Sequence, residues 1–353
     1  MGSPPDSPRR GPCPLCGGAE HRRLVTKRGC DVVRCAACGM VFVWPQPPAD
    51  QLEALYAAPG YHAAIDEAER RRTFARRLGQ LEELAPRRGR LLDVGCSTGT
   101  FLQVARDEGW DAAGVDLDPQ AVEAARARGL DARCGRIEEA GFEPQSFDVV
   151  TLFDLVEHTP EPRATLAACR RLLRPGGLLA LTTPDIGGLV PRVTYWLSAR
   201  TLGAWDHPTP PGHLVQFSRR TLRQMLASTG FAVVRWRSEH IPVAYSVGKL
   251  ENSVMDVLAG RHKAKPQPKP SPGKRLGGEA GRSPAARPEL LRRTVRSAVR
   301  LVAWAVVGGA GLAARATGWG DSLWLVARAE AGEGTASSRR KTRHRESGVS
   351  ECP

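Results

Sequence analysis

Two Cys-x-x-Cys-Gly segments stand near the start of the chain, Cys13-Pro14-Leu15-Cys16-Gly17 and Cys35-Ala36-Ala37-Cys38-Gly39, with 18 residues between Cys16 and Cys35. Four thiolates at this spacing can converge on one tetrahedral zinc ion, each Gly relieving the backbone where its turn tightens. With Cys13, Cys16, Cys35 and Cys38 filling every position, no site remains for water, so the zinc would be structural. Unbridged free thiols are the competing reading, and Cys30 and His21 read as ordinary loop residues. A second constellation is Leu91-Leu92-Asp93-Val94-Gly95-Cys96-Ser97-Thr98-Gly99-Thr100, an apolar run entering a Gly-rich turn that lets a ligand lie against bare backbone. Further on, Gly114-Val115-Asp116 ends the next apolar run in a carboxylate able to accept both hydroxyls of a ribose. The dinucleotide spacing G-x-G-x-x-G is not met, because Ser97 and Thr98 interrupt it and Thr100 closes it, which favours an adenosine-type cofactor over a pyrophosphate. His158, after Glu157, and His213, in Pro211-Gly212-His213-Leu214, are the candidate general bases, since imidazole titrates near neutrality. Their alternatives are structural: Glu157 and His158 as helix-capping groups and His213 as a partner of its own loop. His207, in Trp205-Asp206-His207-Pro208, is a weaker third candidate, with Trp205 a possible platform for substrate.

These groups need a scaffold, and the composition supplies one. The chain has 353 residues, 41% of them hydrophobic, which excludes disordered, collagen-like and disulfide-scaffold classes. Its net charge of +14 is local: residues 261–300 carry 12 Lys or Arg and 2 Asp or Glu, while residues 1–260 carry 32 and 30. The folded part is therefore nearly neutral, and the basic run reads first as a solvated linker. Nine cysteines, four of them in two C-x-x-C pairs, suggest metal ligation in a reducing compartment more than disulfides, and with an N-terminus lacking an apolar leader they point to the cytoplasm. The longest uncharged run, Leu301 to Ala314, is 14 residues against the roughly 20 that a spanning helix needs.

Ile65 to Leu84 reads as a lead-in helix. Strands follow at Leu91 to Gly95, Ala112 to Asp116, Asp131 to Cys134, Phe147 to Phe153 and Leu178 to Thr183, alternating with helices at Thr100 to Glu108, Pro119 to Arg128 and Glu161 to Arg174. Asp118-Pro119 and Thr159-Pro160 start helices, and Gly109, Gly129 and Pro175-Gly176-Gly177 stop them. Such alternation predicts a parallel sheet covered on both faces. Pro184 to Gln216 reads as a loop, Ser218 caps a further helix ending at Gly230, and Phe231 to Arg237 and Ser322 to Ala327 are the last strands.

At these residues the sequence resembles the class I S-adenosylmethionine-dependent methyltransferases: DVGCSTG matches their first motif, GVDLDP the second, FDVVTLFDLVEH the fourth-strand region and LLRPGG the turn before strand five. The resemblance covers about residues 88–240 and implies an α/β fold, a doubly wound, Rossmann-like seven-stranded sheet with its last strand antiparallel. It implies that Gly95 and Gly99 flank the methionine part of S-adenosylmethionine, with Ser97 where the family has Gly or Ser. Asp116 would bind the ribose, and Leu117, Ile137 and Phe153 would enclose the adenine. The Asn-Pro-Pro-aromatic signature of amino-group methyltransferases is replaced by Phe153-Asp154-Leu155-Val156, disfavouring exocyclic amine methylation of DNA. The paired Cys knuckles, the WPQPP link and the final GDSLWLVARA strand resemble a bacterial group often encoded with polysaccharide, sugar or secondary-metabolite pathways, so a small-molecule hydroxyl or carbon acceptor is expected.

The chain then divides into a zinc-ribbon-like module at 1–44, a linker and lead-in helix at 45–87, the catalytic core at 88–240 and an extension of it at 241–260. A basic Pro-rich disordered linker at 261–290, an apolar helix and final strand at 291–330 and a disordered tail at 331–353 complete it. Within residues 292–314, Arg292, Arg296 and Arg300 precede an apolar half, which fits either an interfacial lipid contact or, as the favoured expectation, a helix buried against the sheet. An RNA acceptor gripped by the Cys module and the basic run, and a scaffold without activity, are the rival functions.

Overall fold

The computed structural model describes residues 9–10, 12–27, 29–48, 51–52, 67–85, 87–200, 210–239, 247–248, 251, 255 and 287–330. The expected tail at 331–353, almost all of the expected linker at 261–290, and Trp205 and His207 lie outside them. In chain order the elements begin with β1 (Arg9–Arg10), β2 (Glu20–Lys27), β3 (Cys30–Cys35), β4 (Val41–Val43) and the lead-in helix α1 (Glu67–Glu82). The alternating part follows as β5 (Arg90–Val94), α2 (Thr100–Asp107), β6 (Asp111–Asp116), α3 (Pro119–Ala127), β7 (Asp131–Cys134), β8 (Phe147–Phe153), α4 (Pro162–Leu172) and β9 (Leu173–Pro184). The chain continues through α5 (Leu189–Arg200), β10 (Val215–Gln216), α6 (Arg219–Ala227), β11 (Phe231–Glu239), α7 (Arg287–Thr317) and β12 (Ser322–Ala329).

The larger sheet has seven strands in the order β11-β12-β9-β8-β5-β6-β7. β12 runs antiparallel to both of its neighbours, while β9, β8, β5, β6 and β7 pair in parallel. Alternation along each strand splits the core: Leu92, Val94, Val150 and Leu152 face one side, and Leu91, Val149, Phe101 and Trp324 meet on the other with Leu78 and Leu81 of α1. The glycine turn and α2 can pack closely on β6 because Gly114 has no side chain; a Cβ there would stand 2.7 Å from Cys96 and from Leu102. Local signals set the helix starts. Asp118 accepts from the Gln120 N–H with Pro119 in the first turn, and Ser218 and Thr221 form a reciprocal capping box.

The smaller sheet is antiparallel, in the order β1-β2-β3-β4-β10. It carries the paired Cys knuckles, and its last strand is supplied from far along the chain: Val215 pairs with Phe42, and Gln216 with Val41. Cys13, Leu15, Cys35, Met40 and Phe42 belong to the same apolar cluster as Leu92, Val150 and Leu179 of the larger sheet. The two sheets therefore share a core.

Five expectations are corrected. Thr159-Pro160 does not start α4, which begins at Pro162 after Glu161, and His21 and Cys30 lie in β2 and β3, not in loops. Pro184 to Gln216 is not all loop, since it contains α5 and β10. Pro175-Gly176-Gly177 does not lie between elements but inside the long β9, where the register shifts between Phe147 and Val149 of β8. The apolar helix α7 is not buried against the sheet. Val307 packs with Val190 of α5 and with Val247, while Leu301, Val302, Trp304 and Leu312 are exposed. Apolar residues surround that helix, but among the described residues only one side of it is covered.

Candidate active site and thiolate cluster

Five parallel strands end on one edge, and the turn after β5 lies there. Gly95 N–H and Cys96 N–H both donate to the Val115 carbonyl, at 2.8 and 3.2 Å, which seats the turn on β6. Gly99, at φ +81°, could not be replaced freely, because a Cβ would approach Leu130 Cδ1 to 2.5 Å. Ser97 also has a left-handed backbone, φ 49°, unusual for a residue with a side chain and often found at ligand-binding turns. Asp116 holds this geometry: one carboxylate oxygen accepts from Ser97 N–H at 2.8 Å and the other from Asp118 N–H at 2.9 Å. A carboxylate has about four lone-pair positions, so roughly two remain for a diol. A bare-backbone cradle beside such an acceptor suits the adenosine and methionine parts of S-adenosylmethionine.

Of the three residues expected around the adenine, Leu117 is exposed and adjoins Asp116, while Ile137 is buried in the cluster that includes Val94 and Val115. Phe153 packs elsewhere, against the opposite cluster. Its ring stands 4.9 Å from Phe101 and 5.7 Å from Phe74, with the Arg77 guanidinium 5.3 Å above it. The structure thus joins Gly95, Ser97, Gly99 and Asp116 directly, and places Ile137 and Phe153 in separate clusters.

Behind the turn, Asp93 is buried and accepts a 2.6 Å hydrogen bond from Thr151 Oγ1. Burial pushes its carboxyl up to about 7 despite that bond, with the Asp116 charge adding to the rise. After β8, Glu157 is also buried and accepts from Thr183 Oγ1 at 2.9 Å. Burial pushes it up to about 8, helped by the charge of Asp154.

The two candidate bases come together here. The rings of His158 and His213 are 4.7 Å apart and edge to face. His158 Nδ1 lies 2.9 Å from the Gly212 carbonyl, which can only accept, so Nδ1 carries the proton and Nε2 offers a lone pair. Burial holds the His158 imidazole below its usual pKa, opposed by the Gly212 carbonyl and by Asp154, so the neutral base is present at neutral pH. The segment bearing His213 is seated by Leu214 N–H and Val215 N–H, which donate to the Glu157 carbonyl at 2.9 and 3.1 Å. Glu157, His158 and His213 also place one metal-binding atom each within 4.8 Å of one another, so the cluster can take a proton or a cation.

The four thiolate candidates converge as their spacing implied. Cys13 Sγ is 3.6 Å from Cys38 Sγ, Cys16 Sγ is 3.6 Å from Cys35 Sγ, and all four lie within 4.8 Å. A tetrahedron with Zn–S bonds of about 2.3 Å has edges of about 3.8 Å, so the donor set fits zinc in both chemistry and size. Gly17 N–H donates to the Cys13 carbonyl and Gly39 N–H to the Cys35 carbonyl, closing two matching turns. Burial opposes ionisation of Cys35, but N–H donors from Cys38 and Ala37 and the neighbouring thiols outweigh it and lower the thiol to about 6. The cluster sits on the main core: Arg163 of α4 donates to the Leu15 carbonyl, and Gln46 Nε2 donates to the Pro160 carbonyl at 3.0 Å.

Two contributors had no sequence signal. Glu67, at the start of α1, accepts from Thr100 Oγ1 at 2.9 Å and so ties the lead-in helix to the glycine turn. Arg77 is buried, donates to Glu239 at 2.9 Å and lies 3.8 Å from Asp154. Both are charged residues of a helix whose sequence signal for packing lay in its apolar positions, such as Leu78 and Leu81.

Residues 67–235 match a family profile described as a methyltransferase domain. A ubiquinone biosynthesis O-methyltransferase from Idiomarina loihiensis is 39% identical over 101 residues, which are 27% of this chain and 42% of that protein. One from Paracidovorax citrulli is 36% identical over 116 residues, 30% of this chain and 49% of its own length. The chain spans about half the length of these curated relatives, or somewhat less. Among solved structures, a SAM-dependent methyltransferase from Archaeoglobus fulgidus aligns over 76% of this chain and 99% of its own, with 16% identity and a TM-score of 0.45.

The raised Asp93 pKa has a measurable consequence. The folded state holds that proton more tightly than the unfolded chain, so the stabilisation is complete below the ordinary carboxylate pKa and is lost as pH rises through about 7. Urea unfolding at about pH 5 and about pH 8 should show a smaller loss of stability with rising pH in Asp93→Asn than in the wild type. An equal loss in both would mean that Asp93 titrates normally.

Proposed function

With residues 67–235 carrying a methyltransferase domain of the class I S-adenosylmethionine-dependent kind, we propose that the chain methylates a hydroxyl of a small-molecule acceptor, using His158 as general base. The observation that carries this reading is the bond from His158 Nδ1 to the Gly212 carbonyl, which leaves Nε2, 4.0 Å from Glu157 Oε1, as the basic atom of the ring, in the segment that follows β8. The O-methyltransferase names of the relatives support oxygen as the receiving atom.

When bound, S-adenosylmethionine supplies an electrophilic methyl on a sulfonium centre. The backbone of Gly95 to Gly99 and the carboxylate of Asp116 hold and orient it, with Leu117 beside the adenosine. His158 Nε2 takes the hydroxyl proton as the oxygen becomes nucleophilic, a contribution of about 10²–10⁴ in rate. The imidazolium so formed is favoured by the nearby Asp154 charge. His213 packs edge-on against His158 and limits its rotation. In-line transfer needs the oxygen about 3–3.5 Å from the methyl, so this positioning matters as much as basicity.

Cys13, Cys16, Cys35 and Cys38 would hold a zinc ion that cross-links the turn before β2 to the turn between β3 and β4, with no part in the chemistry. A sugar-like or secondary-metabolite acceptor remains the substrate class that the sequence resemblance favours.

Transfer of labelled methyl from S-adenosylmethionine to a panel of hydroxylated acceptors tests the reaction. His158→Gln should lower kcat by about 10²–10⁴ with little change in cofactor affinity. In the wild type, kcat should rise with pH and level off, with its midpoint below the usual imidazole value because the base must be neutral. Activity retained in His158→Gln would remove it as the base. For the metal, elemental analysis should find one zinc per chain, and Cys35→Ser should lose it and melt at lower temperature; a metal-free wild type of equal stability would contradict a structural zinc.

A further inference from the structure

The long helix α7 has two unlike sides. Val307, Gly311 and Ala314, at spacings of four and three residues, are buried, and Val307 meets Val190 and Val247. On the remaining surface Leu301 is 75% exposed, Val302 62%, Trp304 47% and Leu312 70%. No Asp, Glu, Lys or Arg occurs from Leu301 to Ala314, so the outward face of this half is apolar. Trp319, just past the helix, is also exposed, with the Arg192 guanidinium 5.8 Å from its ring. A helix apolar on every side is normally buried in protein or in lipid, and here the described residues supply one side.

The charge beside the helix identifies what covers the other. Arg287, Arg292, Arg293, Arg296 and Arg300 stand in its first half, and residues 261–300 together carry 12 basic and 2 acidic groups. Arg296 and Arg300 both pair with Glu251, so the local excess of positive charge lies in the rest of this stretch. An apolar face with basic residues at one end matches an anionic bilayer surface, where Trp and Leu enter the acyl boundary and Arg meets the headgroups.

The geometry also selects lying over spanning. Length alone does not decide it, since the 19 residues Arg296–Ala314 reach about 28 Å against a hydrocarbon core of about 30 Å; the packed face at Val307 and the tethered exit of the helix do. Its exit is tied to the domain: Trp319 N–H donates to the Ala314 carbonyl, Leu189 N–H to the Trp319 carbonyl, and Asp185 N–H to the Asp321 carbonyl. β12 begins immediately afterwards, with Ser322 opposite Pro184 at the carboxyl end of β9. The helix therefore leaves the sheet on the edge that bears the glycine turn, Asp116 and His158.

We propose that α7 is an interfacial helix whose outward apolar face docks on an anionic phospholipid bilayer, bringing the site edge to the membrane. One consequence, which rests on the methyltransferase reading above, is an acceptor with an apolar part that partitions into lipid. The docking itself does not depend on that reading.

The full chain should cosediment with vesicles of phosphatidylglycerol and phosphatidylcholine, more weakly with phosphatidylcholine alone, and less as salt rises. The double variant Leu301→Asp/Leu312→Asp alters only exposed positions and should bind anionic vesicles about tenfold more weakly or worse, with unchanged thermal melting and S-adenosylmethionine affinity. Equal vesicle binding by variant and wild type, or none by the wild type, would overturn the proposal. So would a wild-type dimer in light scattering that the double variant converts to monomer, which would make the face a contact between copies. Vesicle binding by a wild type that fails to bind S-adenosylmethionine would leave the docking standing and sink the methyltransferase reading instead.

Discussion

The backbone carbonyl of Glu157 is the joint on which the site is assembled. It accepts from Leu214 N–H and Val215 N–H, and so fixes a segment that returns from far along the chain. Immediately before the two donors stand Gly212, whose carbonyl sets the His158 tautomer, and His213, whose ring bounds His158. The second donor begins the two-residue strand that completes the Cys-bearing sheet. One buried residue thus aligns His158, His213 and the edge of the N-terminal module. Its own side chain is satisfied by Thr183 and sits in surroundings that favour the neutral acid.

This arrangement gives the thiolate cluster a role that does not require chemistry at the metal. β4 lies between β3, which carries Cys35, and β10, which follows His213. Val43 N–H also donates to the Leu214 carbonyl at 2.8 Å. Stiffening the knuckles therefore stiffens the floor beneath His213. Small domains with little core of their own commonly gain rigidity from a bound metal, and a metal held by these four Cys would act next to the segment that carries His213.

Much of this was legible in the sequence where the signals are local. The turn from Gly95 to Gly99, Asp116 after the next strand, and the two Cys knuckles depend on neighbours within a few residues, and the structure assembles each as a unit. Helix starts at Pro119 and Arg219 follow directly from Asp118 and Ser218. What escaped depends on distant partners. Val215–Gln216 is too short to show an alternating pattern, and only β4 makes it a strand. Glu67 and Arg77 look like solvated charges until Thr100, Asp154 and Glu239 are placed against them. In α7 the apolar composition was plain, but periodicity reports which residues are apolar and not what covers them.

The central claim is that the glycine turn and Asp116 form a seat for S-adenosylmethionine. Calorimetric titration of zinc-loaded protein with S-adenosylmethionine, compared with Asp116→Ala, tests it most directly. The account predicts micromolar binding, about −8 kcal/mol, in the wild type and its loss in the variant. No binding by the wild type, or the same affinity in Asp116→Ala, would contradict it.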